Sequence, residues 1–266
     1  MLKYSLALVT GASSGLGKAL SHALSKRGTS LILTARDNEK LKQAASDLPD
    51  STQLIACDLS SNRDRKNLVR KIQEQQPDLI INNAGFGLYG PAYSQPFSDL
   101  EKMVETNIQA PMQLSIEAIR TWLKLGKKGT LLNISSAAGF FSYPNFCVYA
   151  ATKAFVNHFS QALHEETRKS GIRVLTVCPG QIDTNFRKIA SRNFPQQKNS
   201  LTMSADYAAE CVLKELDKGK ALSIIDWRYK IAVGIGRLLP SCFTQAILER
   251  SLKERYTIHT KSDRRE

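Results

Sequence analysis

Tyr149 and Lys153 stand four positions apart, and on a helix that spacing puts both side chains on one face. A phenol titrates at about 10, too high for efficient proton exchange at neutral pH, and an ammonium beside it favours the phenolate and lowers that value. Ser136 precedes Tyr149 by 13 residues, just past a run of aliphatic residues. Its hydroxyl can bond a substrate oxygen and hold it beside the phenol. These residue types together suit delivery of a proton to an oxygen that gains charge during a reaction.

A second constellation lies near the N-terminus, where Thr10-Gly-Ala-Ser-Ser-Gly-Leu-Gly17 joins an apolar run to a helical pattern. Gly11, Gly15 and Gly17 allow positive φ and close approach of a pyrophosphate, and the following helix offers unpaired N–H groups. The spacing G-x-x-x-G-x-G differs from the G-x-G-x-x-G of long dinucleotide dehydrogenases. Gly11-Ala-Ser13-Ser-Gly15 also fits G-x-S-x-G, the nucleophile elbow of serine hydrolases, which would need an acid and a histidine later in the chain. The candidates His22, His158, His164 and His259 carry no signature around them. This motif alone leaves both readings open.

The next strand separates them. A dinucleotide-binding unit selects its cofactor about 20 residues beyond the glycines, with an acid for a ribose 2′-hydroxyl or an arginine for a 2′-phosphate. Leu33-Thr34-Ala35-Arg36 has alanine where the acid belongs, followed by arginine. A guanidinium there pairs with a phosphate dianion and stacks on adenine. This pattern favours NADPH over NADH.

The elements that must position these groups alternate. Strands are expected at Leu6–Thr10, Ser30–Thr34, Gln53–Cys57, Leu79–Ile81, Thr130–Ile134, Arg173–Val177 and Ala221–Ile225, and helices over 15–27, 38–47, 62–76, 98–125, 148–169 and 204–218. Continuous Leu/Ile/Val runs indicate strands buried on both faces. The expected class is α/β: a doubly wound Rossmann fold, a parallel seven-stranded sheet with helices on both faces. Residues 1–226 form the dinucleotide-binding and catalytic domain, and 227–266 a C-terminal helical extension and tail. In that extension Trp227, Ile231, Ile235 and Leu238 recur at helical spacing, Pro240 interrupts, and Phe243, Ile247, Leu252 and Tyr256 follow. Two readings stay open: a helical pair packed on the domain or on a partner subunit, or a basic amphipathic surface over 227–256 making peripheral membrane contact.

With these pieces in order, the chain resembles the short-chain dehydrogenase/reductase family from Leu6 to about Thr184, continuing to 226. The resemblance rests on the glycine turn, Asp58-Leu59, Asn82-Asn-Ala-Gly85, Asn107, Ser136, Tyr149-x-x-x-Lys153, and Pro179-Gly180 with Thr184. It implies that Gly11, Ser13, Ser14, Gly15, Leu16 and Gly17 cradle the cofactor and that Asp58 and Leu59 border its adenine. Asn83, Ala84 and Gly85 would line it, while Pro179, Gly180, Ile182 and Thr184 border the nicotinamide. It also implies a catalytic set of Asn107, Ser136, Tyr149 and Lys153. Tyr149 would protonate the alkoxide left by hydride transfer to a carbonyl, with Ser136 stabilising it. Lys153 would hold the ribose and, through water and Asn107, restore the proton on Tyr149. A homodimer or homotetramer is implied as well.

The segments that face substrate in this family are apolar here: Phe86, Leu88, Tyr89, Phe140, Phe141, Tyr143 and Phe186. They suit an apolar ketone or aldehyde, free or linked to a carrier, rather than a sugar. The stretch 187–200, a mobile lid in the family, carries Arg187, Lys188, Arg192 and Lys198 without an acid. A basic lid could dock an anionic carrier, and a solvated loop is the plainer reading.

Composition sets the outer bounds. Hydrophobic residues make up 42% and charged residues 23%, which fits a globular core and excludes disordered, collagen-like and coiled-coil classes. The longest apolar stretches, such as Ile231 to Gly236, fall far short of the roughly 20 residues of a membrane span. The N-terminal run is expected to be a buried strand rather than a leader. Five scattered cysteines without a C-x-x-C pair point to a reducing, cytoplasmic setting and no metal site. Net charge is +13, but the basic residues are dispersed and no nucleic-acid motif accompanies them. A serine hydrolase and a non-catalytic NADP(H)-binding sensor stand as alternatives. Against the sensor, both Tyr149 and Lys153 are present.

Overall fold

Along β1 (Leu6–Thr10), Ala7 and Val9 pack into one buried cluster and Leu8 into another. A strand covered on both faces needs apolar residues at every position, so its sequence does not alternate. The same holds for β2 (Ser30–Ala35), β4 (Leu79–Asn82), β5 (Thr130–Ile134) and β6 (Arg173–Cys178), while β3 (Gln53–Ala56) and β7 (Leu222–Ile224) form the edges. The computed structural model describes residues 3–191, 202–240, 243–246 and 248. Within them the seven strands pair in parallel in the order β3-β2-β1-β4-β5-β6-β7. The expected strands occur with ends shifted by one residue at most.

One core cluster joins the sheet to α1 (Gly15–Lys26), α2 (Asn38–Ala44) and α8 (Ala205–Lys218) through Leu20, Leu24, Leu41, Val212 and Leu216. The other joins it to α3 (Asn62–Gln75), α5 (Ala110–Lys124) and α6 (Cys147–Thr167) through Leu68, Ile72, Leu114, Trp122 and Leu163. The chain runs outward from β1 to β3, then returns to place β4 on the other side of β1. Loops leaving the carboxyl ends of β1 and β4 therefore diverge, and a crevice opens at that switch point.

Two expectations are corrected. The helix read over 98–125 is three segments: α4 (Phe97–Val104), a π turn at Glu105–Gln109, and α5. Pro111 has no N–H to donate to the carbonyl of Asn107, and the Asn107 side chain is bonded to the Phe86 backbone, so the helix widens there. The second concerns α9 (Trp227–Leu238), and only one of the readings left open for it, packing of its stripe on the domain rather than on a partner or a membrane. Its stripe does not pack on the domain: Trp227, Ile231, Ile235 and Leu238 are 69%, 50%, 53% and 87% exposed. Val233 is buried instead, and Gly236 lies against the Phe141 ring. Ile247, Leu252 and Tyr256 of the second stripe, and the tail 257–266, lie outside the described residues. Among the described residues no helix is long and apolar enough to cross a membrane.

Candidate active site

The glycine turn takes its shape from hydrogen bonds to the neighbouring strands. Ala12 N donates to Thr34 O at 3.1 Å. Asn83 Nδ2 donates to Thr10 O at 2.9 Å, and the N–H groups of Asn83 and Ala84 both donate to Thr10 Oγ1 at 3.0 Å. Gly11 has φ +68°, and a Cβ on Gly17 would stand 2.2 Å from Gly11 O. Only glycine therefore lets α1 begin so close under the turn. Ser14 precedes α1 without a side-chain cap, which leaves its first-turn N–H groups uncapped by a side chain.

These residues open onto a cavity of about 620 Å³ at the carboxyl ends of the strands. The β1–β3 half contributes Gly11, Ser13, Ser14, Gly15, Leu16 and Gly17, then exposed Arg36 after β2, then Asp58 and Leu59 after β3. Asp58 Oδ1 accepts bonds from the N–H and hydroxyl of Ser60 at 2.9 and 2.8 Å. Buried Arg65 fixes the same loop by donating to Leu59 O at 2.8 Å while pairing with Glu105 of the π turn at 2.7 Å. The β4–β6 half contributes Asn83, Ala84 and Gly85 after β4, Ser136 after β5, and Pro179, Gly180, Ile182 and Thr184 after β6. Tyr149 and Lys153 reach the same cavity from α6.

Tyr149 is buried, its ring stacked on Phe146 at 4.3 Å between centroids and tilted against Phe186 at 5.3 Å. Burial pushes its phenol above the ordinary range, and a hydrogen bond with Ser136 pulls the other way. Lys153 is buried as well, and burial brings its ammonium down to about 8. Its Nζ donates to Ile134 O at 2.9 Å and lies 5.7 Å from the Tyr149 ring centroid. The phenol therefore shifts opposite to the lowering expected from the neighbouring ammonium, with burial as the main cause.

Asn107 is not part of the cavity wall. It sits behind it in the π turn, its Oδ1 accepting from Phe86 N at 3.1 Å and its Nδ2 donating to Phe86 O at 2.8 Å and Thr152 Oγ1 at 3.1 Å. A Cβ on Gly85 would lie 3.0 Å from Asn107 Oδ1 and 3.4 Å from Lys153 Nζ. The amide oxygen and the ammonium therefore flank one small space beside Gly85.

The substrate-facing residues divide. Phe86, Leu88, Tyr89, Tyr143 and Phe186 line the cavity, whereas Phe140 and Phe141 do not. Phe141 turns to α9 and packs on Gly236. Phe146, Ile189, Lys102 and Tyr229 also line the cavity, and sequence reasoning did not single them out. A signal for Tyr229 existed: Tyr229, Val233 and Gly236 recur at helical spacing on the face away from the Trp227 stripe. Of the basic segment after Thr184, Lys188 is exposed, and Arg192 and Lys198 lie outside the described residues. No described histidine lines the cavity reached by Ser13. His22 Nε2 meets Ala44 O at 3.0 Å, His164 Nδ1 meets Val174 O at 2.9 Å, and His259 lies outside the described residues. The nucleophile-elbow reading of Gly11 to Gly15 therefore has no histidine base among the described residues.

Comparison with known proteins agrees with this geometry. A profile of the family described as short chain dehydrogenase matches residues 5–193. The very-long-chain 3-oxoacyl-CoA reductase of Anas platyrhynchos is 34% identical over 197 residues, covering 71% of this chain but only 63% of the length of that relative. An oxidoreductase of Staphylococcus aureus is 30% identical over 222 residues, 82% of this chain and 94% of that one. Among solved structures, the short-chain dehydrogenase from Sphingobium yanoikuyae in complex with NADPH gives a TM-score of 0.77 at 28% identity, over 88% of this chain and 94% of that one. The bulky-bulky ketone specific alcohol dehydrogenase from Comamonas testosteroni gives a TM-score of 0.75 at 27% identity, over 89% of this chain and 93% of that one. With the switch-point cavity and the matched span taken together, the chain belongs to the short-chain dehydrogenase/reductase family.

Proposed function

We propose that this chain is an NADPH-dependent reductase of apolar ketones or aldehydes, with 3-oxoacyl thioesters as the favoured substrate class. The observation that carries the reading is one cavity walled by Ser136, Tyr149 and Lys153 together with the glycine turn and Arg36. The residues fit the cofactor. The turn at Gly11 and the uncapped start of α1 suit a pyrophosphate, and the exposed Arg36 guanidinium suits a 2′-phosphate. When bound, reduced nicotinamide supplies hydride to a carbonyl carbon.

The chain's own groups then handle the oxygen. Ser136 donates a hydrogen bond to the carbonyl oxygen and positions it. Tyr149, protonated at neutral pH as a phenol is and pushed further up by burial, gives its proton to that oxygen. Lys153 remains charged below about pH 8 and favours the phenolate left behind. Asn107 acts as a positioning residue, holding the Phe86 backbone and facing the small space beside Lys153, through which water can restore the proton.

The substrate class is supported by the aromatic and aliphatic wall of Phe86, Leu88, Tyr89, Tyr143, Phe146 and Phe186 and by relatives named very-long-chain 3-oxoacyl-CoA reductase. NADPH is supported by Arg36 and by the NADPH complex of the Sphingobium protein. Titration of the purified protein with NADPH and NADH, followed by quenching of Trp227 and Trp122 fluorescence or by heat, tests the cofactor assignment. NADPH is expected to bind at least about tenfold more tightly, with Arg36→Asp reversing the order, since a paired phosphate is worth about 1.5–3 kcal/mol. An unchanged ratio in the variant removes Arg36 from the phosphate site.

A further inference from the structure

We propose that Tyr229 is a specificity-determining residue, its ring forming a wall that limits the bulk of the group carried on the substrate carbonyl. The inference rests on the carbonyl-reductase reading and adds to it an element outside residues 5–193, the span matched by the family profile. Tyr229 lies on α9, yet it lines the same cavity as Ser136 and Tyr149.

Its position is tightly determined. A Cβ on Gly180 would stand 2.0, 2.2 and 2.3 Å from three Tyr229 ring carbons, so the ring rests directly on the Gly180 backbone and leaves no room for any side chain there. The Tyr229 hydroxyl accepts a hydrogen bond from Gln181 N at 3.1 Å. Gln181 O in turn accepts from Met203 N at 2.9 Å, and Asp183 N donates to Met203 O at 2.8 Å. The ring is thus fastened where the excursion after β6 leaves the sheet and returns to it. The adjoining Pro179 O accepts from Ala137 N at 2.8 Å, which ties this backbone to the residue following Ser136.

The helix that carries the ring is itself held in place. Asp226 Oδ1 accepts from Arg228 N at 3.0 Å at its start, Val233 is buried, and Gly236 admits the Phe141 ring of the turn beyond Ser136. A rigid aromatic wall joined to the backbone that carries Ser136 and Gly180 discriminates substrates by shape. Removing it would enlarge the cavity beside Gly180, and Ser136 and Tyr149 stand on other elements.

The test measures kcat/KM for NADPH-driven reduction of two ketones, a methyl ketone and its analogue with a bulky aryl or branched group on the same side. The wild type, Tyr229→Phe, Tyr229→Ala and Tyr229→Trp are compared. Tyr229→Ala is expected to raise the bulky-to-small ratio by about tenfold or more, the range one or two carbon-sized changes in a pocket produce. Tyr229→Trp should lower the ratio, and Tyr229→Phe, which keeps the ring, should preserve it. Affinity for NADPH should change less than about twofold in Tyr229→Phe, which keeps the ring on Gly180. If Tyr229→Ala does not fold, the Trp and Phe variants still decide the matter, because a ratio is insensitive to the fraction of active protein. Ratios within about twofold of the wild type in a protein that reduces both ketones overturn the proposal alone. A wild type that reduces neither overturns the reductase reading and this inference with it.

Discussion

A phenol titrating at about 10 already holds its proton at neutral pH, and burial of Tyr149 under Phe146 and Phe186 pushes it further up. In the proposed reaction its release must therefore be drawn by the hydrogen bond with Ser136 and by the charge of Lys153. The same burial brings Lys153 down to about 8, so its charge is present at pH 7 and lost as pH rises through that value. Reduction should therefore be nearly flat below pH 7 and fall above about pH 8, close to tenfold per unit where the ammonium is required. A rate profile that stays flat beyond about pH 9.5 would contradict the role given to Lys153. At this scale much was legible, because helical spacing alone puts Tyr149 and Lys153 together and the turn chemistry of Gly11 to Gly17 is local. The direction of the phenol's shift was not legible. It depends on how deeply Tyr149 is buried, which takes Phe186 from a distant segment as well as the neighbouring Phe146.

The elements position these groups through a few polar clamps. Asn107 satisfies the N–H and C=O of Phe86 from inside the π turn. Asn107→Ala leaves both half-buried backbone groups without that partner, at a cost of about 1 kcal/mol each. A fall in Tm of roughly 3–10 °C is expected by calorimetry, and an unchanged Tm would mean that the turn holds itself. The break at residues 105–109 escaped the sequence reading because apolar periodicity continues through a single widened turn. Pro111 was the available sign, since its missing N–H strands the carbonyl four residues earlier. Strand positions were read closely for the opposite reason: a strand buried on both faces writes its burial into every residue.

At the scale of the whole molecule, α9 joins the cavity to the surface. Its inward face carries Tyr229 and Val233, and its outward face carries Trp227, Ile231 and Ile235. In the sequence only the outward stripe was singled out, and whether the domain, a partner or a membrane covers it was left open. The inward set prevails because Gly180 and Phe141 offer it complementary shapes. Val233→Asp is therefore expected to destabilise the protein by several kcal/mol, as burial of an unpaired charge does. Ile231→Ser should stay within about 0.5 kcal/mol. Equal effects in denaturant melts would mean that the faces are assigned the wrong way round. Whether Tyr149 delivers the proton in an NADPH-driven carbonyl reduction is decided by following NADPH oxidation with a 3-oxoacyl thioester. Wild type and Tyr149→Phe are run side by side, with NADPH affinity measured for both. Turnover by the wild type is expected, with a loss of about 10²–10⁴-fold in the variant and cofactor binding intact, if Tyr149 is the donor. A variant that reduces the thioester at the wild-type rate, or a wild type that binds NADPH but reduces no carbonyl compound, would contradict that role.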